Sequence, residues 1–237
     1  MNRYKHLICI LSITLLGACG GGGGGGGGGS ASVDPTLSGL AAVGAALGNA
    51  TVTVKCTTGA VSTTTTAANG SFSLQLSSAQ TLPCMLRAVS GATTLYGYAT
   101  GYGRVNITPL SDLVLAVAGS DIPAKLFAGF NSASATTINS NLTSAKAYVR
   151  TQVTRLDFTP LAIDPLTGTF AVGDIHDQTL DQLQAALAAN APPKTLDDLR
   201  TLATTSAELN TALPTGKLVI SEVASGFYTS APFWFEI

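Results

Sequence analysis

Four side chains close together in the chain could do chemistry. Asp164, Asp174, His176 and Asp177 fall within fourteen residues. Three carboxylates and an imidazole suit either Ca²⁺ binding or proton transfer. Their spacing departs from the twelve-residue calcium loop of helix–loop–helix sites. A His-Asp pair needs further imidazoles to hold a metal, and the chain has one other His, His6. The same residues also fit turn and cap chemistry, with Asp164 ahead of Pro165 and Asp177 at a helix start. Asp164, Asp174 and Asp177 are therefore the metal candidates, and turn and cap roles are the expectation. No Gly-x-Ser-x-Gly, His-Glu-x-x-His or phosphate-cradling loop occurs. A Ser-His-Asp triad would have to use His176, whereas a carboxylate pair could draw on distant positions. No cofactor is expected.

The elements that would position these residues begin far upstream. Arg3, Lys5 and His6 precede an apolar run over residues 7–16, followed by the small residues Gly17 and Ala18. Ten residues at about 1.5 Å each are too short for a hydrocarbon core about 30 Å thick, so this is secretory-signal architecture. Cys19 follows, and then ten glycines, Gly20 to Gly29. Leu16-Gly17-Ala18-Cys19 resembles the lipobox of bacterial lipoproteins. The resemblance implies cleavage before Cys19, a diacylglyceryl group on its thiol and acylation of the new amino terminus. In Gram-negative members an Asp after the Cys retains the protein in the inner membrane. Gly20 stands there, which implies the outer membrane, with the membrane as partner through the lipid. The glycine run has nothing to bury, and a coil from Cys19 to Thr36 has an r.m.s. reach of roughly 20 Å.

Without Arg3 and Lys5, ten basic residues face thirteen acidic ones, a net charge near −3. That balance offers nothing to nucleic acid or an anionic surface. Charged residues make up 11% of the chain, so Thr, Ser, Asn and Gln must supply the polar surface, as in exported β-rich modules. Of the four cysteines, the lipobox resemblance implies that Cys9 leaves with the signal and that Cys19 is lipidated. Cys56 and Cys84 remain in an oxidising compartment beside expected strands, and a Cys56–Cys84 disulfide is expected.

Residues 36–108 read as β. Thr51 to Cys56 alternates, with Val52, Val54 and Cys56 on one face; Ser71 to Leu76 alternates with Phe72, Leu74 and Leu76 inward. Asn69-Gly70 signals a hairpin between them, and Thr63 to Thr66 suits an extended strand. Further strands are expected over 85–89, 94–99 and 104–108. Gly48-Asn49-Ala50-Thr51-Val52-Thr53-Val54 with Thr66-Ala67-Ala68-Asn69-Gly70-Ser71-Phe72 resembles the carboxypeptidase regulatory-like domain, with Ala67 where that family usually has Asp. The resemblance implies a small transthyretin-like, immunoglobulin-like antiparallel β-sandwich. Such domains are mostly non-catalytic: they pack on a neighbour, bind glycans or proteins, or act as spacers.

Residues 109–213 read as a small α-helical bundle. Thr108-Pro109 starts a helix apolar nearly all round. A short helix is expected over 122–130. A longer one over 135–156 carries Ile138, Leu142, Ala145, Val149 and Val153 as one stripe. Asp177 is expected to cap a fourth helix, and Thr195 to Asp198 resembles a capping box for a fifth. Residues 214–237 read as a closing β-hairpin. There, Leu218 to Val223 followed by Trp234 to Ile237 resembles the opening of a lamin-tail-type domain, which would make the chain a fragment of a longer protein.

The expectation is thus an α+β chain: signal 1–18, anchor and tether 19–35, β domain 36–108, helical domain 109–213 and terminal strands 214–237. Functionally it is a lipid-anchored envelope protein serving as a non-catalytic module for a glycan or an envelope protein. The alternative is an envelope hydrolase using carboxylates of the helical region.

Overall fold

The computed structural model describes residues 35–206. Cys19, its tether and the hairpin expected over 214–237 lie outside the described residues. The fold is α+β, with two sheets and five helices among the described residues. The strands are β1 (Thr36–Leu40), β2 (Thr51–Thr58), β3 (Ser62–Thr65), β4 (Ser71–Gln75), β5 (Thr81–Ser90), β6 (Thr93–Ala99) and β7 (Gly103–Arg104). One sheet has the order β4-β1-β7, with β1 antiparallel to β4 and parallel to β7. The other has the order β3-β2-β5-β6 and is antiparallel throughout.

The period-2 pattern explains how the four-stranded sheet is covered on both faces. Val52, Val54, Leu86, Ala88 and Leu95 point into a cluster shared with Leu37 and Phe72 of the other sheet. Met85, Tyr96 and Tyr98 point the other way, into a second cluster made mostly by the helices. One apolar cluster therefore includes residues from both sides of residue 108.

Two expectations need correction. Asn69-Gly70 does form a turn, in which Gly70 N–H donates to Ala67 O (2.9 Å) and Gly70 takes φ 80°. It does not close a hairpin within one sheet, because β3 pairs with β2 and β4 pairs with β1. The turn passes the chain from one sheet to the other. The strand expected over 104–108 is regular only at Gly103–Arg104, with an isolated bridge from Ile107 to Ala41 further on.

The helices are α1 (Pro109–Gly119), α2 (Pro123–Ala128), α3 (Ser132–Arg155), α4 (Ile175–Ala188) and α5 (Leu196–Thr204). Thr108 caps α1, accepting from Ser111 N–H, while the Ser111 hydroxyl accepts from Thr108 N–H. From Pro109 through Ala116 every residue of α1 is buried, including the polar Ser111 and Asp112. Thr195 and Asp198 form the reciprocal box at α5. Among the described residues no helix is long and apolar enough to cross a membrane.

Candidate functional site

The expected cluster is built on the segment between α3 and α4, and each carboxylate in it has structural partners. Asp164 Oδ1 accepts from the N–H of Leu166 (2.8 Å) and Thr167 (3.2 Å), closing a turn around Pro165. Its Oδ2 accepts from Lys146 Nζ of α3 at 2.7 Å. Burial works against the Asp164 charge, but Lys146 and these amides hold the carboxyl below its ordinary range.

The cap of α4 is Asp174, not Asp177. Asp174 Oδ1 accepts from the N–H of His176 (2.9 Å) and Asp177 (3.1 Å), and Oδ2 from Ala171 N–H (2.8 Å). Asp174 is also held below its ordinary range by these amides, against desolvation. Asp177 sits one turn inside the helix, where its Oδ2 accepts from Gly173 N–H at 2.7 Å. Its Oδ1 is buried with no hydrogen-bond partner, and burial pushes its carboxyl up. The reason for the shift of cap is local. Only a residue with extended backbone, as Asp174 has (φ −84°, ψ −177°), can turn its carboxylate back onto the first free amides.

His176 is directed elsewhere. It is 4% exposed and packs on Phe170, with ring centroids 4.6 Å apart. Neither ring nitrogen has a hydrogen-bond partner. Burial lowers its pKa, so the imidazole is held neutral. Among the described residues no three His, Cys, Asp or Glu side chains converge as a metal set. The candidates Asp164, Asp174 and Asp177 are near in sequence but serve a turn, a cap and a first-turn contact.

Cys56 and Cys84 are disulfide-bonded. They face each other directly across β2 and β5, so the alternation that buries Val52 and Val54 also brings the two thiols together.

A second polar constellation carries no signal in the sequence, because its members come from different elements. Asp112 of α1 is fully buried, and its Oδ2 accepts from Arg200 Nη2 of α5. Arg200 Nη2 also donates to Thr94 O of β6 (2.7 Å), and Nη1 to Asp197 Oδ1 (2.5 Å). Desolvation pushes the Asp112 carboxyl up to about 7, with Arg200 pulling the other way. Burial also works against the Arg200 charge, but Asp112 and Asp197 outweigh it and raise its pKa. Asp112 Oδ1 and Arg200 Nε are buried with no hydrogen-bond partner.

Arg200 lies at the edge of an open cleft of about 260 Å³, lined also by Thr93, Thr94, Gln184, Thr195 and Asp197. The guanidinium is engaged by two carboxylates and a carbonyl, the Thr195 hydroxyl by Asp198, and Val43, Ala92, Leu95 and Leu196 complete the lining. That lining can hydrogen-bond a polar group; it presents no paired acid and base. No family model, curated protein or solved structure matches this chain.

Proposed function

We propose that this chain is a lipid-anchored cell-envelope protein whose folded part is a non-catalytic binding or scaffold module. The observation that carries the reading is the engagement of Asp164 and Asp174, whose carboxylates accept from backbone amides and, for Asp164, Lys146. A general base needs a lone pair directed at a substrate proton. Here those lone pairs hold a turn and a helix cap, which argues against the hydrolase alternative. The cleft beside Arg200 is the ligand site of this reading, with a glycan or an envelope protein as the partner.

The anchor is Cys19, acylated after signal cleavage, and the location is the outer membrane. Within the folded part, the β region is a transthyretin-like sandwich of the carboxypeptidase regulatory-like kind. Supporting this are its two sheets, the shared cluster of Leu37, Val52, Val54, Phe72 and Leu86, and the Cys56–Cys84 bond. Ala67, standing where that family has Asp, takes part in the turn through its backbone alone: its N–H donates to Ser71 O (2.8 Å) and its carbonyl accepts from Gly70.

Mass analysis of the mature amino terminus tests the anchor: an acylated Cys19 is expected, and an unmodified terminus elsewhere refutes it. The catalytic alternative is tested with a panel of chromogenic esters, glycosides and peptides on the wild type and on Asp164→Asn, Asp174→Asn and Asp177→Asn. No turnover is expected. Hydrolysis that disappears in these variants while they stay folded would overturn the non-catalytic reading.

A further inference from the structure

The strand directions sort the loops of the β region onto two ends. Pairing of Thr36 with Gln75, of Leu37 with Gly103 and of Thr58 with Thr81 puts the start of β1, the end of β4, the β2–β3 turn, the start of β5 and the β6–β7 loop at one end. Hydrogen bonds tie these loops together. Leu76 N–H donates to Pro35 O (2.8 Å), Ser77 N–H to Gln80 Oε1 (2.9 Å) and Gln80 Nε2 to Ala60 O (2.9 Å). The chain arriving from Cys19 enters the fold at this end.

The segment before α4 descends to the same end. Leu166 O accepts from Asn106 N–H (2.7 Å), then Gly168 O from both Asn106 Nδ2 (2.7 Å) and Arg104 Nε (3.1 Å), then Phe170 O from Arg104 Nη2 (3.2 Å). Its partners thus step back along the chain toward Gly103. From there α4 runs away again, until Gln184 reaches the cleft beside Thr93 and Thr94 at the β5–β6 turn.

Against this frame the exposed apolar side chains are unevenly distributed. Among the described residues, the exposed large ones are Val61 (54%), Tyr102 (41%), Val172 (46%) and Ile175 (58%). Val61 follows Ala60 in the β2–β3 turn, and Tyr102 precedes Gly103. Val172 lies in the turn that Ala171 and Asp174 close after Phe170, and Ile175 is the first residue of α4. Val61 and Tyr102 belong to loops at the end where the anchor chain enters, Val172 and Ile175 to the turn before α4 and its first residue, and the cleft lies at the β5–β6 end.

We infer that this end rests on a phospholipid bilayer through Val61, Tyr102, Val172 and Ile175, so that the cleft faces away from the membrane. The inference rests on the lipid anchor proposed above. The length of chain before Pro35 favours the bilayer as the occupant. A glycine-rich coil from Cys19 reaches roughly 20 Å, whereas β5 alone spans about 33 Å from end to end. The end at which the chain enters the fold is thus, on average, nearer the lipid than the far end. Isolated apolar side chains at a membrane surface gain by entering the headgroup boundary, and aromatic rings such as that of Tyr102 favour that depth.

The test uses the full mature chain, purified with its lipid and reconstituted in vesicles of phosphatidylethanolamine and phosphatidylglycerol. With Cys19 acylated and Cys56 bonded to Cys84, a single introduced thiol takes a fluorophore at Val61→Cys, Tyr102→Cys, Val172→Cys or, at the far end, Ala92→Cys. Quenching by a headgroup-depth nitroxide lipid is expected to be at least about two-fold stronger at the first three positions than at Ala92→Cys, as burial in the interface requires. Equal quenching at all four, or none at any, overturns the inference. So does protection of the three positions in native envelope membranes but not in lipid alone, which would mark a protein partner.

In a second arm, Val61, Tyr102, Val172 and Ile175 are all replaced by Ser. This variant is expected to float with the vesicles through its lipid yet lose the difference between the two ends. A preserved difference would show that these side chains do not cause it. Failure of the anchor reads differently: the chain does not float, and its amino terminus carries no acyl group.

Discussion

At the scale of the residue, two buried titratable groups push stability in opposite directions as pH changes. His176 has its pKa lowered by burial against Phe170. Its stabilising effect is full above the unfolded value near 6.5 and is lost as pH falls toward the folded value. Asp112 has its pKa raised by burial to about 7. Its effect is full below the unfolded value near 3.9 and is lost as pH rises through the folded one. Between about pH 4 and 6.5 the two oppose each other, so the wild-type melting temperature should vary less with pH than either single variant. Melting curves from pH 4 to 8 test this. His176→Leu should become more stable relative to wild type as pH falls, and Asp112→Asn as pH rises. Parallel curves for all three proteins would show that neither group titrates across this range.

The same scale holds the Asp112–Arg200 pair. Removing one partner of a buried ion pair costs about 3–5 kcal/mol, because the other charge is left unpaired. Arg200→Met should therefore be strongly destabilised at pH 8, by denaturant unfolding. At pH 5 the penalty should shrink, since Asp112, with its pKa raised to about 7, is protonated there whether or not Arg200 is present. A penalty independent of pH would mean that the loss comes from the contact of the Arg200 guanidinium with the Tyr96 ring instead. None of this was legible beforehand. The partners lie 88 residues apart and meet only because α5 packs on α1. No local spacing encodes such a meeting.

At the scale of the element, legibility followed periodicity. The alternation from Thr51 to Cys56 and the stripe from Ile138 to Val153 were readable because half-buried strands and helices print their period directly. The strand β1 was missed. Thr-Leu-Ser-Gly-Leu is short and carries Gly39 in its interior, which weakens any strand pattern. The structure supplies the reason for that glycine, since a Cβ at Gly39 would collide with Val105 O. Gly97 in β6 has the same role, as a Cβ there would lie 2.5 Å from Asn106 O. Residues 105–107 thus run close against both sheets. Gly97→Ala should cost about 1–3 kcal/mol, the range for overpacking a tight core. A guanidinium midpoint unchanged from wild type would refute the close-approach explanation.

The disulfide is also an element-scale device. It links β2 to β5 across a sequence separation of 28 residues. On the chain-entropy account, closing such a loop in the unfolded chain is worth about 3–4 kcal/mol. A Cys56→Ala/Cys84→Ala protein should lose about that much, with the two sheets retained. Unchanged stability would mean that the unfolded chain already holds β2 and β5 together. The caps were legible in part. Thr108 and Thr195 stood where a cap was expected, but at α4 two Asp residues three apart competed. Backbone conformation chose Asp174, and composition has no access to that choice.

At the scale of the whole molecule, the question is whether residues 36–108 are a domain that could stand alone. The change of period at Thr108 suggests two domains, and the described residues on both sides of it share one hydrophobic cluster. The helix-facing side of the four-stranded sheet explains this. Tyr96 meets Phe127 with ring centroids 5.8 Å apart, and Tyr98 meets Phe130 edge-on at 6.1 Å. The Tyr98 hydroxyl donates to Asn139 Oδ1 (2.9 Å), and Lys55 Nζ donates to the last carbonyls of α2 (3.2 and 2.7 Å). Met85 and Tyr98, buried against the helices, would be exposed in the β part alone. An apolar face of that size uncovered in water favours aggregation. The mature chain should therefore unfold in one calorimetric transition, with equal calorimetric and van't Hoff enthalpies. Residues 33–108 expressed alone should bind hydrophobic dyes and precipitate. Two separate transitions, or a soluble and cooperatively folding fragment, would instead support a division into domains. A single transition also bears on orientation. If the helices and sheets move as one body, a membrane contact made by Val61 and Tyr102 in the β part and Ile175 at the start of α4 directs the cleft at the far end as well.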